Sequence, residues 1–175
     1  MSNIFAKKGA ETTLRDYMGK TDGRSNLGGE LPVEIYRLFQ FSVKEQLIRA
    51  YGEAAAVDVF RKAGYEAGVF FAENFLNLSL PLSEFVSALQ NKLEELKIGI
   101  LRIERMDEDG HIVLTVSEDA DCSGLPVLGK TVCNYDEGFL SGVLSTYTKK
   151  PYEAVEVDCW ATGDRVCRFH ADVRE

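Results

Sequence analysis

The sequence has no apolar run long enough to cross a membrane, no secretory signal and no excess of positive charge. Met1 to Phe5 is followed at once by Lys7 and Lys8, without the apolar stretch and small-residue cleavage site of an exported precursor. The chain carries 28 acidic residues against 20 basic ones, whereas proteins that bind nucleic acid need clustered Lys and Arg. We therefore expect a cytoplasmic protein with free thiols, no membrane span and no direct nucleic-acid partner.

Recognisable catalytic motifs are equally scarce. The sequence contains no Walker loop, no dinucleotide-binding glycine fingerprint and no Ser/His/Asp arrangement. Its two histidines, His111 and His170, both fall in predicted hairpins, where exposure to solvent is a simpler interpretation than haem ligation. The sequence therefore favours a binding domain over an enzyme.

What is present is length for one hydrophobic core and a clear order of elements. A chain of this size buries roughly two thirds of its unfolded surface. Apolar residues recur at helical spacing before Gly99, alternate as in strands after it, and then repeat both patterns in the same order. Such segregated runs predict an α+β fold, with helices packed on an antiparallel sheet. The predicted elements are an arm over residues 1–30 with a short helix near 12–18, then a single domain over 31–175 with helices over 32–51, 53–75 and 81–97, a hairpin over 101–116, a helix over 133–147 and a hairpin over 154–173.

Two helices have notable faces. In the helix over 32–51, apolar residues such as Ile35, Phe39 and Val43 fall on one side. In the helix over 53–75, Gly64 and Gly68 lie four residues apart, so that another helix or a ligand can approach the backbone closely. Each glycine costs about 1 kcal/mol relative to alanine in a helix, so we expect a compensating contact.

Three cysteines and one acid form the most informative group of side chains. Cys133 begins a predicted helix, and Cys159 and Cys167 flank the tight turn of the last hairpin. Zinc prefers thiolates in a tetrahedron and accepts a carboxylate, here Glu156, as the fourth ligand. Strict strand alternation places Glu156 on the face opposite Cys159, so it joins them only if the strand bends or bulges. Three buried thiols beside a surface acid, or a Cys159–Cys167 disulfide, are the alternatives.

Aromatic side chains are candidates for lining a ligand pocket, because such pockets are mainly apolar. An aromatic stripe at helical spacing belongs more often to the core. The candidates are Phe60, Phe71 and Phe75 on the second predicted helix, Phe139 and Tyr147 on the fourth, and Trp160 in the final turn.

The carboxy-terminal third resembles the 4-vinyl reductase (hydrocarbon-binding) domain family. The resemblance spans about residues 110–173 and rests on the stretches 124–126 (GLP), 132–142 (VCNYDEGFLSG) and 156–169 (EVDCWATGDRVCRF). Residues 31–37 (LPVEIYR) and 64–68 (GYEAG) are also similar, more loosely. The resemblance implies a fold shared with haem-NO-binding and Golgi vesicle-tethering domains, in which helices and an antiparallel sheet enclose an apolar cavity.

The resemblance also implies a structural zinc ion. Phenol-sensing relatives hold zinc with three Cys and one Glu, which match Cys133, Glu156, Cys159 and Cys167. Four protein ligands leave no open position for a reactive water. Cys122 stays outside this set: it replaces Glu156 as a ligand, lines the pocket, or is an ordinary loop thiol, and the last interpretation is the simplest.

By the same resemblance the chain is a small-molecule-binding or sensing domain for a hydrophobic or aromatic ligand. Phenol itself is not singled out, since relatives anchor phenol with a His and a Trp, and Trp160 lies within the zinc motif here. The alternatives are an accessory protein or enzyme of tetrapyrrole metabolism and a protein-interaction module without ligand. Related regulators dimerise, so we expect a homodimer, with the basic arm before Gly28 as a segment that crosses to the second subunit and a separate effector protein as the output.

Overall fold

The computed structural model describes residues 13–18 and 24–174, and the chain divides into two units, Met1–Glu30 and Leu31–Glu175. In the first unit, helix α1 spans Leu14–Tyr17. The Asp16 carboxylate accepts hydrogen bonds from the backbone N–H and the hydroxyl of Thr13, each at 2.9 Å, which fixes the first turn. Lys7, Lys8 and the other residues expected in the arm at 1–12 and 19–23 lie outside the described residues.

The second unit contains the helices and strands expected of an α+β fold, which confirms that prediction. No helix in the described ranges is both long and apolar enough to span a bilayer. In chain order the elements are α2 Val33–Tyr51, α3 Glu53–Phe75, α4 Leu82–Glu95, β1 Ile100–Met106, β2 Ile112–Ser117, α5 Asn134–Thr148, β3 Tyr152–Asp158, a 3-10 turn Trp160–Thr162, and β4 Cys167–Val173.

The sheet is antiparallel throughout, with strand order β1-β2-β4-β3. The pairing of β3 with β4 shifts register between Glu156 and Asp158, where β3 bulges. The side chain of Glu156 is buried at 5% exposure, Val157 points to solvent, and Cys159 is buried again. The bulge therefore turns Glu156 and Cys159 to the same side of the sheet, which strict alternation does not allow.

Helices α3 and α5 pack with their backbones in direct contact. A Cβ atom built on Gly64 would lie 2.0 Å from the carbonyl oxygen of Tyr135, and one on Gly138 would lie 2.0 Å from that of Arg61. Gly68 and Gly142 are equally crowded. The glycine pair predicted to permit a close approach therefore accommodates another helix, and the tight packing offsets the cost of glycine in a helix.

Helix α2 turns its polar side inward. Its buried residues are Gln40 and Lys44, whereas the apolar face that includes Leu38 and Phe39 points to solvent, with 68% and 71% of those side chains exposed. Polar contacts to a loop hold this helix in place, so periodicity identifies the helix and its two faces but not the side that is buried.

Candidate functional site

Four buried cysteine sulfurs meet at one end of the sheet. Cys133 immediately precedes α5, Cys159 follows β3 after the bulge, Cys167 begins β4, and Cys122 lies in the loop between β2 and α5. The four Sγ atoms all lie within 4.8 Å of one another. Three of these thiols are the ones expected from the sequence, and the structure adds Cys122 to them.

The spacing of the sulfurs suits a tetrahedral metal ion. With Zn–S bonds of about 2.3 Å, the sulfur atoms of a tetrahedron stand about 3.8 Å apart. The Sγ of Cys133 lies 3.8 Å from that of Cys159 and 3.8 Å from that of Cys167, and the sulfurs of Cys122 and Cys167 are 3.1 Å apart. The cluster can hold a metal ion with little rearrangement.

Glu156 lies beside this cluster in a different role from that of the sulfurs. Its Oε2 accepts a hydrogen bond of 3.0 Å from the backbone N–H of Cys133, and its Oε1 has no hydrogen-bond partner. Burial, with the charge of Cys159 next, raises the pKa of Glu156 to about 8. The carboxylate thus holds the first turn of α5 against β3.

Hydrogen bonds among the thiols shift their acidity. The pKa of Cys159 is lowered because the thiols of Cys122, Cys133 and Cys167 donate hydrogen bonds toward its sulfur, Cys122 most strongly. The thiolate is the form that binds metals, so one ligand is already favoured in its binding state.

Buried acids shape the loop that carries Cys122. The Oδ1 atom of Asp119 accepts the backbone N–H groups of Asp121 at 2.6 Å and Cys122 at 3.2 Å, which forms a tight turn. Burial raises the pKa of Asp119 to about 7, and that of Asp136 well above its ordinary value. Asp121 accepts hydrogen bonds from the Tyr36 hydroxyl at 2.7 Å and from the Gln40 amide at 2.6 Å.

Helix α2 completes this set of contacts. Arg37 donates hydrogen bonds to the carbonyl oxygens of Ala120 at 2.6 Å and Ser123 at 2.9 Å, on both sides of Cys122. The Lys44 ammonium donates to the carbonyl of Val132 at 2.9 Å and to the Asn134 side chain at 2.7 Å, on both sides of Cys133. Sequence reasoning did not identify these α2 residues, because their partners lie more than 80 positions away.

The aromatic residues expected to line a pocket lie in several places. Phe71, Phe75 and Phe139 form one cluster, with ring centroids 5.2 Å apart for the first pair and 5.1 Å apart for Phe71 and Phe139. Tyr147 stacks on Phe85 in the core, and its hydroxyl donates to the carbonyl of Leu80 at 3.0 Å. The other two lie elsewhere: Phe60 faces the Lys44 ammonium at 5.4 Å, and Trp160 packs at the edge of the core.

A separate groove of about 420 Å³ opens between α3, α5 and β3. Its lining is charged and polar, unlike the aromatic cluster, and Glu137 at its base joins Arg61 through bonds of 2.6 and 3.0 Å. The groove is lined by Arg61, Tyr65, Glu137, Tyr152, Glu153 and Arg174, among others. Sequence reasoning did not anticipate it.

Comparison with known proteins relates this site to one domain type. Residues 112–173 match the model of the 4-vinyl reductase domain. An uncharacterised protein of Methanocaldococcus jannaschii is 21% identical over 175 residues, which cover 100% of this chain and 95% of that protein. Another from the same organism is 28% identical over 143 residues, 82% of this chain and 78% of that protein.

Solved structures share the fold at low sequence identity. The phenol-responsive sensory domain of the transcription activator PoxR, solved with phenol, has a TM-score of 0.63 at 15% identity, over 82% of this chain and 75% of that one. A vinyl-4-reductase family protein from Methanocaldococcus jannaschii has a TM-score of 0.62 at 14% identity, over 97% and 100%. Subunit 3 of a trafficking protein particle complex from Naegleria fowleri, covalently bound to palmitic acid, has a TM-score of 0.66 at 15% identity, over 82% and 95%.

An H-NOX protein from S. oneidensis is more distant, with a TM-score of 0.51 at 14% identity, over 78% of this chain and 74% of that one. Identities this low show the fold alone. The expected relation to haem-NO-binding and trafficking-complex folds is confirmed. The resemblance seen in the sequence is confirmed as well, and residues 112–173 of this chain are a 4-vinyl reductase domain.

Proposed function

We propose that this chain is a cytoplasmic sensing domain that binds a hydrophobic or aromatic small molecule and contains a structural zinc ion. The 4-vinyl reductase domain and the likeness to a phenol-responsive sensory domain support ligand sensing. The observation that carries the proposal is the partly open aromatic cluster of Phe71, Phe75 and Phe139, in which Phe75 is 43% exposed. Aromatic surface of this kind favours an apolar ligand.

The proposed ligand site lies where α3 ends. Phe139 and the side chains of Leu76, Leu78 and Leu80, in the segment between α3 and α4, pack against the edge of the core. This short segment covers the cluster without being part of a helix or a strand, so a small displacement of it admits a ligand to the three rings.

Fluorescence titration with N-phenyl-1-naphthylamine, an apolar aromatic probe, tests this site. We expect saturable binding to the whole chain, and a Phe75→Ser variant that binds about tenfold more weakly, equivalent to about 1.4 kcal/mol. Val59→Ser, on an exposed part of the same helix, is the matched control and retains full affinity. A protein that binds no probe, or equal affinity in both variants, contradicts the proposed site.

The proposed zinc ion connects three elements of the domain. Cys133, Cys159 and Cys167 supply three thiolates, and either Glu156 or Cys122 supplies the fourth ligand. Four protein ligands leave no position for a reactive water, so the ion supplies cross-linking, not chemistry. It joins the start of α5 to the last hairpin, which forms one side of the domain core.

We also propose a homodimer formed through the exposed apolar face of α2, with a second copy of this chain as the occupant. The face carries Ile35, Leu38, Phe39 and Val43 along one stripe. Glu34 begins the helix and Arg49 ends it, so antiparallel pairing of two copies brings opposite charges together at both ends. The arm of residues 1–30 crosses to the second subunit in this proposal, and a separate effector receives the signal.

Sedimentation equilibrium distinguishes the dimer from a monomer. We expect the chain to sediment as a dimer at micromolar concentration, and the double variant Leu38→Glu with Phe39→Glu to sediment as a monomer, because four buried carboxylates would face each other across the interface. Val59→Glu on α3 is the control and stays dimeric. A monomeric wild type, or a double variant that remains dimeric, refutes this interface.

A further inference from the structure

Two side chains compete for the fourth ligand position of the proposed metal site, on which this inference rests. The candidates are the carboxylate of Glu156, favoured by the resemblance of the motif, and the thiol of Cys122. They differ in what else holds them in place, in their distance from the other sulfurs and in the surroundings that they bring to the ion.

The distances favour the thiol. The sulfur of Cys122 lies with those of Cys133, Cys159 and Cys167 in one group whose members are all within 4.8 Å of one another, close to the edge length of about 3.8 Å for a tetrahedron of thiolates around zinc. Zinc prefers thiolates over carboxylates when both are within reach. Four sulfurs therefore make a complete ligand set without Glu156.

Glu156 already has a different partner. Its Oε2 accepts the backbone N–H of Cys133 at 3.0 Å, a donor at the start of α5 that no residue within the helix can bind. A carboxylate that holds the backbone of a ligand residue orients that ligand, as outer residues commonly do at metal sites. If Glu156 turned to the ion, this buried N–H would lose its acceptor.

The loop that carries Cys122 is held in position independently of any ion. Asp119 fixes its turn, and Arg37 of α2 binds carbonyl oxygens on both sides of Cys122. Further along the loop, the backbone N–H of Leu128 donates to the carbonyl of Ala161 at 2.7 Å, next to Cys159. The Cys122 sulfur is thus positioned before metal binding, which lowers the cost of recruiting it as a ligand.

The charge around the cluster also suits four thiolates. Four thiolates around a divalent ion leave an anionic centre, which requires a nearby cation when it is buried. The Lys44 ammonium binds residues on both sides of Cys133 and is itself buried. The buried lysine of α2 therefore offsets the charge of an all-sulfur site.

We infer that Cys122, Cys133, Cys159 and Cys167 together bind the metal ion, and that Glu156 is a positioning residue that holds the backbone of Cys133. The chain thus differs from the pattern of three cysteines and one glutamate that the motif resemblance implies.

Cobalt substitution tests this ligand set, because Co²⁺ adopts the tetrahedral site of zinc and its sulfur-to-metal absorption grows with the number of bound thiolates. The whole chain is reconstituted with Co²⁺ as wild type, Cys122→Ser and Glu156→Gln, with circular dichroism to establish that each variant is folded. We expect Glu156→Gln to keep the wild-type intensity and position of the bands, and Cys122→Ser to lose about a quarter of the charge-transfer intensity, one thiolate in four.

The outcomes separate this inference from the proposed metal site. If Cys122→Ser retains the wild-type spectrum while Glu156→Gln changes it, Glu156 is the ligand and the inference is wrong, although the metal site stands. If wild type takes up no Co²⁺ or Zn²⁺, the metal site itself fails. If Cys122→Ser is unfolded, the spectrum of Glu156→Gln alone decides: wild-type bands support four thiolates, and altered bands overturn them.

Discussion

At the scale of single residues, Glu137 joins more elements than any cysteine does. It is 2% exposed and accepts hydrogen bonds from Arg61 of α3, from the Asn134 side chain at 3.1 Å and from the backbone N–H of Glu156 at 3.0 Å. One carboxylate of α5 therefore links helix α3 to strand β3, next to the residue that holds Cys133.

Replacement of this carboxylate is expected to be costly. Glu137→Ala leaves Arg61 and the N–H of Glu156 without their acceptor, and the loss of one partner of a buried ion pair costs about 3–5 kcal/mol. The free energy of unfolding from urea titration measures the change. Glu45→Ala, which removes an exposed glutamate of α2, is the control and changes it by less than about 0.5 kcal/mol. A loss below about 1 kcal/mol in Glu137→Ala would show that the bonds to Glu137 contribute little net stability.

The sequence identifies three of the four clustered thiols, because each sits at a predictable place: a helix start or a side of a hairpin. Cys122 lies in a loop whose path depends on Asp119 and on Arg37 of a distant helix. No local pattern reports such contacts. The one available signal was the count itself, since four cysteines equal the ligand number of a tetrahedral ion.

At the scale of elements, α2 is attached by hydrogen bonds and ion–dipole contacts more than by apolar packing. Periodicity predicts the helix correctly, since the pattern of apolar residues is regular. The buried side is the polar one because the loop before α5 offers carbonyl and carboxylate acceptors. Three-dimensional context, absent from a periodicity argument, decides which face is covered.

The attachment of α2 can be weakened without altering its apolar face. Lys44→Met keeps the aliphatic stem beside Phe60 but removes the donor to Val132 and Asn134, and unpaired buried acceptors cost about 1–3 kcal/mol. Hydrogen exchange should accelerate in the amides of α2 and of the loop before α5, while the α3 amides stay protected. Gln46→Met, an exposed change on the same helix, is the control, and unchanged exchange in Lys44→Met would show that other bonds suffice.

The contact between α3 and α5 has no room for even a methyl group. Gly138→Ala adds a carbon 2.0 Å from the carbonyl oxygen of Arg61, so the helices must separate. Overpacking costs about 1–3 kcal/mol, more than the gain of about 1 kcal/mol in helix propensity. Thermal unfolding should show a net loss of stability. Lys62→Ala, on the exposed side of α3, is the control, and a more stable Gly138→Ala would contradict the tight packing.

At the scale of the whole molecule, the proposed ion joins chain segments that are far apart in sequence. Removal of zinc with a chelator should lower the melting temperature, because a ligand present at a thousand times its dissociation constant contributes about 4 kcal/mol. For a domain of this size that corresponds to about 8–16 °C. Differential scanning fluorimetry measures the shift, Zn²⁺ should reverse it and Mg²⁺ should not. An unchanged melting temperature after chelation would refute a structural role for the ion.

The sequence anticipates the fold at this scale better than the site, because the order of helices and hairpins restricts the possible topologies. It does not show that β3 bulges after Glu156, or that the aromatic residues divide between the core and an open cluster. Both depend on how side chains fill a shared interior.

The strand order has a consequence for how the chain folds as it is made. The inner strand β4 is translated after β2 and β3, yet both of them need it, since β2 and β3 are not neighbours in the sheet. Until β4 leaves the ribosome, two strands have unpaired backbone edges, and the long-range pairing that completes the sheet is slow to form. That interval is when a nascent chain of this protein has the greatest need of a chaperone.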